Sequence, residues 1–174
     1  MSEYDINVDA DGDGHWDDHS VESDGHGGYN IYVDQNNDGR VDFVGHDADG
    51  DGLLESGAYD NNFDGNFESQ NVDTNGDGWF DQQNTDRDGD GTFDVAYGDT
   101  NHDGQWDVTA ADNDYNGTAD TFAADRNHDG DTDWQARDND EDGQYNTVTT
   151  DSNYDGTFDT TRFGDQETNP YASA

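Results

Sequence analysis

Apolar residues return at one fixed place about every 13 residues along this chain. Trp16, Tyr29, Val41, Leu54, Phe67, Phe80, Phe93, Trp106, Ala119, Thr132, Tyr145 and Phe158 form that column, and eight of the twelve are aromatic. Such regularity argues for an inward-facing row. The residues that follow are rich in β-branched and small types, as in Ile31-Tyr32-Val33, Val108-Thr109-Ala110-Ala111 and Thr147-Val148-Thr149-Thr150. Each reads as a short strand. A lone strand of this length buries nothing, but identical strands stacked at about 4.8 Å can pair and align their rings.

The polar positions carry the stronger pattern. Upstream of each apolar position lies an acidic string: DADGDGHWD from Asp9, DQNNDGRVD from Asp34, DADGDGLLE from Asp47, and so on to DSNYDGTFD from Asp151. A degenerate member, ESDGHGGYN, begins at Glu22 and is followed by the one 12-residue step. Twelve copies cover residues 9–163, the mark of a stacked array. The first residue is acidic in all twelve and the sixth is always Gly; the fifth is Asp in ten, the ninth Asp or Glu in ten, and the third Asp in six and Asn in six.

Composition then narrows the field. The 174 residues carry a net charge of -40, from 45 acidic residues against five Arg, with neither Lys nor Cys, and only 27% are hydrophobic. An ordinary globular core is not expected from such a chain. Disulfides and thiolate zinc sites are excluded. Nucleic acid and anionic membranes are poor partners. Neither a secretory signal nor a membrane anchor is expected, because residues 1–8 lack a basic-then-apolar pattern and no run approaches the length that spans a bilayer. Simple disorder also fits badly, since four Trp, nine Tyr and eight Phe are too many for a solvating tail, and 38 of the 45 acids sit in four columns of the repeat.

Oxygen donors at positions one, three, five and nine around an obligatory Gly point to a hard cation, with Asn in the third column supplying a carbonyl oxygen. The expected ligands are Asp9, Asp11, Asp13 and Asp17 in the first copy; Asp34, Asn36, Asp38 and Asp42 in the third; Asp47, Asp49, Asp51 and Glu55 in the fourth; and Asp60, Asn62, Asp64 and Glu68 in the fifth. They continue with Asp73, Asn75, Asp77 and Asp81; Asp86, Asp88, Asp90 and Asp94; Asp99, Asn101, Asp103 and Asp107; and Asp112, Asp114, Asn116 and Asp120. The last three sets are Asp125, Asn127, Asp129 and Asp133; Asp138, Asp140 and Asp142; and Asp151, Asn153, Asp155 and Asp159. In the second copy His26 replaces the fifth-column Asp, so that site is expected to be weak or empty. Calcium accepts six to eight oxygens in flexible geometry whereas magnesium demands a near-ideal octahedron, so calcium is the better match. Up to about twelve ions are expected, one per copy.

The strings resemble the first half of the EF-hand calcium loop, and still more the thrombospondin type-3 repeat, whose DxDxDGxxD string recurs without helices. They depart from the EF-hand in lacking its twelfth-position Glu, where Ser20, Gly45, Ala58 and Asn71 stand, and from the thrombospondin pattern in lacking cysteines. The ninth-position acid must close the shell, and sharing between successive turns is expected. From Asp73 onward the third column alternates Asn and Asp, doubling the period to 26. The fold class expected is therefore all-β: a calcium-stabilised β-solenoid or β-roll of twelve repeats, two per coil and six coils, with calcium turns on opposite edges. This layout resembles the RTX β-roll in architecture, although the RTX nonapeptide is absent.

Residues 1–8 are expected to cap one end as an irregular strand through Tyr4, Ile6 and Val8, residues 9–163 to form the repeat array, and residues 164–174 a tail. Most His residues are expected to be solvent-facing fillers, and the Trp residues to stack or lie in a core rather than serve as carbohydrate platforms. No catalytic constellation stands apart from the repeats, so no enzyme is expected. Without metal, carboxylates crowded within several ångströms repel by about 1 kcal/mol per pair even at water-like dielectric, so the apo chain should be unfolded. Twelve divalent ions would cut the charge to about -16, making binding energy into folding energy. The function expected is calcium binding by a monomeric structural or secreted module, placed extracellularly or at the cell surface by a route without a signal peptide, a cytoplasmic location being the other option. Metal storage, mineral or rare-earth scavenging, and an ice-binding or adhesin surface are the alternatives.

Overall fold

The structure, a computed structural model, describes residues 6–164. Tyr4 and the tail beyond Gly164 lie outside the described residues. One compact unit runs to Thr85 and a second begins at Asp86. The first holds β1 (His19–Ser23), β2 (Tyr29–Val33), β3 (Phe43–Asp47), β4 (Ser56–Tyr59), β5 (Ser69–Val72) and β6 (Gln82–Thr85). The second holds β7 (Val95–Gly98), β8 (Val108–Ala111), β9 (Thr121–Ala124), β10 (Trp134–Arg137), β11 (Thr147–Thr150) and β12 (Thr160–Phe163). One strand thus follows each copy of the acidic string, and the described residues contain no helix. The chain is an all-β repeat.

Within each unit every strand pairs antiparallel with the next in sequence, as Tyr32 with Val44 and Val44 with Ala58 in the first, or Phe122 with Ala136 and Ala136 with Val148 in the second. A strand thus pairs with the strand 13 residues on, whereas in a two-repeat coil it would meet the one 26 residues on. The doubled period nevertheless has a structural meaning. An antiparallel meander puts alternate loops on opposite edges, so loops two copies apart share an edge. The first residue of one then donates its N–H to the ninth-residue carbonyl of the other, as Asp60 to Asp42 (2.7 Å), Asp73 to Glu55 (2.9 Å) and Asp138 to Asp120 (2.8 Å). Gly164 makes the same bond to Asn146 at 2.6 Å, in the place where a thirteenth copy would start.

The first unit has a small apolar core of Ile6, Val8, Ile31, Val33 and Phe43, with Leu54 and Tyr59 against it. The expectation for Ile6 and Val8 is half met: they are buried against the sheet, but in irregular backbone. Two paired glycines make room for the aromatic layer. A Cβ on Gly57 would lie 2.9 Å from the Phe43 ring, and one on Gly45 would lie 2.8 Å from Leu54. In the second unit only Val95 and Ala136 are buried hydrophobics among the described residues.

What is buried instead is the acid, in the first and ninth columns: Asp42, Asp47, Asp60, Asp81, Asp94, Asp133 and others are all below a tenth exposed. The eighth column is not the continuous inward row expected: Tyr29 and Leu54 lie against the core of the first unit, but most of the column faces solvent. Trp16 is 68% exposed, and Phe67, Phe93, Trp106, Tyr145 and Phe158 are between 41 and 47%. The eighth and ninth residues form an extended stretch, where successive side chains point to opposite sides. Turning the ninth side chain into the loop sends the eighth to the other side, which is solvent for Phe93 and Trp106 and the core for Leu54.

Candidate metal loops

The nine-residue strings are numbered here as loops 1 to 12 in chain order; loop 1 precedes β1, and loops 2 to 12 connect successive strands. The ninth-residue N–H closes the loop onto the carbonyl that precedes it, as Asp42 onto Val33 at 2.8 Å and Glu68 onto Tyr59 at 3.0 Å. The acids then organise the loop's own backbone. In every loop but the second, the first-column carboxylate accepts the N–H of the sixth-column Gly, as Asp60 from Gly65 (2.7 Å) and Asp99 from Gly104 (2.7 Å). The fifth-column side chain accepts the N–H two residues on, as Asp38 from Arg40 at 2.9 Å. The ninth accepts the N–H of the second residue, as Asp133 from Arg126 at 2.8 Å. These short side-chain-to-backbone bonds are Asx turns and their relatives, and they outcompete any regular structure in the loop.

An ionised carboxylate accepts about four hydrogen bonds, so capacity remains on the side facing its neighbours. Carboxylate oxygens lie within 4.8 Å of one another in the sets Asp47, Asp49, Asp51 and Glu55; Asp9, Asp11 and Asp13; Asp60, Asp64 and Glu68; Asp86, Asp88 and Asp94; and Asp112, Asp114 and Asp120. Each set belongs to one loop. In four of these five sets the ninth acid is gathered with the acids of its own loop, where its bond to the second-residue N–H folds it back.

Loop 3 contains the most telling atom. Asp42 is 1% exposed; its Oδ2 accepts from Gln35 N (2.9 Å) and Asn36 N (3.2 Å), whereas its Oδ1 is buried without any partner. The corresponding oxygens of Glu68 and Asp159 accept from the third-column amides of Asn62 (2.7 Å) and Asn153 (3.4 Å), so this oxygen looks across the loop interior. The other unpartnered buried side-chain oxygens among the described residues, on Asn71 and Thr149, are uncharged.

Crowding appears in the acidities. The Asp90 N–H pulls Asp88 down, but burial and the charges of Asp90, Asp94 and Asp86 outweigh it, and the group sits above the usual carboxylate value. Asp107 is lowered to about 2: burial opposes this, and the Thr100 hydroxyl, His128 and the Thr100 N–H overcome it. His128 is thus no filler, since its Nδ1 lies 2.8 Å from Asp107 in the loop two copies earlier.

Third-column asparagines behave differently from the expected carbonyl ligands. Those in loops 6, 8, 10 and 12 use Oδ1 to accept the fifth-residue N–H and aim Nδ2 at the fifth-column carboxylate, as Asn75 to Asp77 at 3.1 Å and Asn127 to Asp129 at 2.8 Å. Loop 2 has no such architecture. Glu22 and Asn30 are strand residues paired with each other, and the Asp24 carboxylate holds the turn through the N–H groups of His26 (2.7 Å) and Gly28 (3.0 Å), with the Ser23 hydroxyl accepting from Gly25 N (3.3 Å).

Two features escaped the sequence reading. Second-column Thr74 and Thr100 each donate a hydroxyl to the ninth acid at 2.6 Å. The fourth column is left-handed, with φ near 60° at Asn37, Phe63, His102, Tyr115, His128, Glu141 and Tyr154. Its signal was in the sequence, because the other copies carry Gly there, at Gly12, Gly25, Gly50, Gly76 and Gly89. Comparison with protein-family models, curated proteins and solved structures finds no match to this chain.

Proposed function

We propose that this chain binds calcium through its loops and that cation binding orders the strands between them. The buried, unpartnered Asp42 Oδ1 carries the reading, since a buried carboxylate oxygen with no donor is several kcal/mol unfavourable unless a cation or proton meets it. Three arguments support it. The gathered oxygens are hard donors with a flexible layout, which suits calcium better than magnesium. In the folded loop, backbone N–H groups hold the acids in place so that their oxygens converge. The second unit buries too little apolar surface to offset its ordering entropy unaided. In this reading the loops two copies apart, which share an edge of the meander, form a row of calcium sites along that edge.

Loops of this type, without a bidentate closing Glu in the EF-hand position, belong to the weaker range, with dissociation constants of about 0.1–1 mM. Such a protein would act as a structural module where calcium is plentiful, as outside cells. The test is circular dichroism and native mass spectrometry of the whole chain, in chelator and then in millimolar calcium. The expected result is a β signal and several bound ions appearing together. A folded spectrum unaffected by chelator, with no calcium bound, overturns the reading.

A further inference from the structure

The ninth column holds one buried residue that is not an acid. Asn146 of loop 11 is 3% exposed, and both its side-chain oxygen and its side-chain nitrogen are hydrogen-bonded. Its Oδ1 accepts from Asn139 N (3.1 Å) and Asn139 Nδ2 (2.8 Å), and its own Nδ2 donates to Asp140 Oδ1 at 2.7 Å. Asn139 Nδ2 also donates to Thr147 Oγ1 at 2.7 Å, which ties the group to β11.

The amide orientation is fixed by chemistry. A backbone N–H can only donate, so the Asn146 atom facing Asn139 N must be the oxygen, and the NH2 must face Asp140. Turning the amide over to present oxygen to a cation would set two donors against each other at Asn139 and leave buried groups unpaired. An NH2 cannot ligate a metal. In loop 11 the inward position of the ninth column therefore holds a neutral hydrogen-bond donor, where loop 3 has a bare carboxylate oxygen.

We infer that loop 11 takes no cation: the Asn146 amide stands in its place, and the hairpin of β10 and β11 is closed by hydrogen bonds while neighbouring loops are closed by metal. This rests on the calcium reading of the other loops and deepens it, because it makes the sites unequal. The second unit then contains a connection whose geometry does not depend on calcium concentration.

The experiment is the number of calcium ions bound at saturation, by native mass spectrometry, in the wild type, Asn146→Asp, Asp142→Asn and the double variant, together with the Asn146 side-chain NH2 signals by NMR. Asp142 is exposed, so its amide variant is not expected to disturb folding. Asn146→Asp should bind one ion more than the wild type, Asp142→Asn the same number as the wild type, and the double variant should lose the added ion. The Asn146 NH2 protons should be slow to exchange in the folded wild type. Equal counts in the wild type and Asn146→Asp, or one ion fewer in Asp142→Asn, overturn the inference while leaving calcium binding intact. Should no variant bind calcium, the calcium reading fails by itself; protected Asn146 NH2 protons in the metal-free protein would then still uphold the hydrogen-bonded closure, and rapidly exchanging ones would overturn it.

Discussion

Loops 3 and 11 bury their ninth residue to nearly the same depth, 1% exposed for Asp42 and 3% for Asn146, and both residues bond to the second-residue N–H. Beyond that they diverge. Asp42 keeps one oxygen buried with no donor, whereas Asn146 donates into the same interior and satisfies Asp140. One backbone frame thus accepts two ways of balancing buried carboxylates, a cation from solvent or an amide from the chain. In the proposed reading the first makes the loop responsive to calcium and the second makes it indifferent.

The largest expected effect separates the two loops by removing calcium. At calcium tenfold above the dissociation constant each filled loop gains about 1.4 kcal/mol, and several loops together reach the order of a whole domain's stability, about 5–15 kcal/mol. Chelation should therefore abolish most strand signal in far-ultraviolet circular dichroism. Hydrogen exchange sharpens the comparison, since amides next to loop 3 should lose protection at lower chelator concentration than those flanking loop 11. Equal loss at both places would show that the closures do not differ.

Next come substitutions of the ninth residues themselves. Asn146→Ala strips partners from Asp140 and Asn139 and should cost about 1–3 kcal/mol in denaturant titrations, whatever the calcium concentration. Asp42→Asn should bind one ion fewer and flatten the calcium dependence of the melting temperature, while keeping an acceptor for Gln35 N. If the Asn146→Ala deficit shrank on adding calcium, loop 11 would be a metal loop after all.

Much of this was legible in the sequence. The 13-residue period located every strand, and its doubling to 26 marked the loops that share an edge, although it could not show that strands pair with their immediate successors. The columns that turn into the loops were readable because acids and amides recur there, His26 apart. What misled was the aromatic column: regular spacing showed a fixed environment, but only the inward turn of residues such as Asp94 and Asp107 decides that Phe93 and Trp106 face out. The division near Thr85 left no mark in the period. Neither did the closure of loop 11, where Asn146 reads as a weakened acid until its partners are seen.

The smallest expected effect concerns the fourth column, where the two loops differ again. Asn37 and Glu141 share φ of 60°, a left-handed conformation that Asn adopts at less cost than Glu. Glu141 also faces Asp114, whose charge, with burial and the hydrogen bond between them, raises its carboxyl above the ordinary 4.5. A folded value above the unfolded one means that ionisation works against folding: stability is highest below the unfolded value and is lost as pH rises through the folded one. Glu141→Gln should therefore raise the melting temperature slightly near neutral pH, with the gain disappearing as pH falls below about 4.5. Glu141→Asn should add a part that persists in acid, because it relieves backbone strain as well as charge. An Asn variant no better than the Gln variant at any pH would assign the whole effect to electrostatics and leave the left-handed turn in loop 11 without measurable strain.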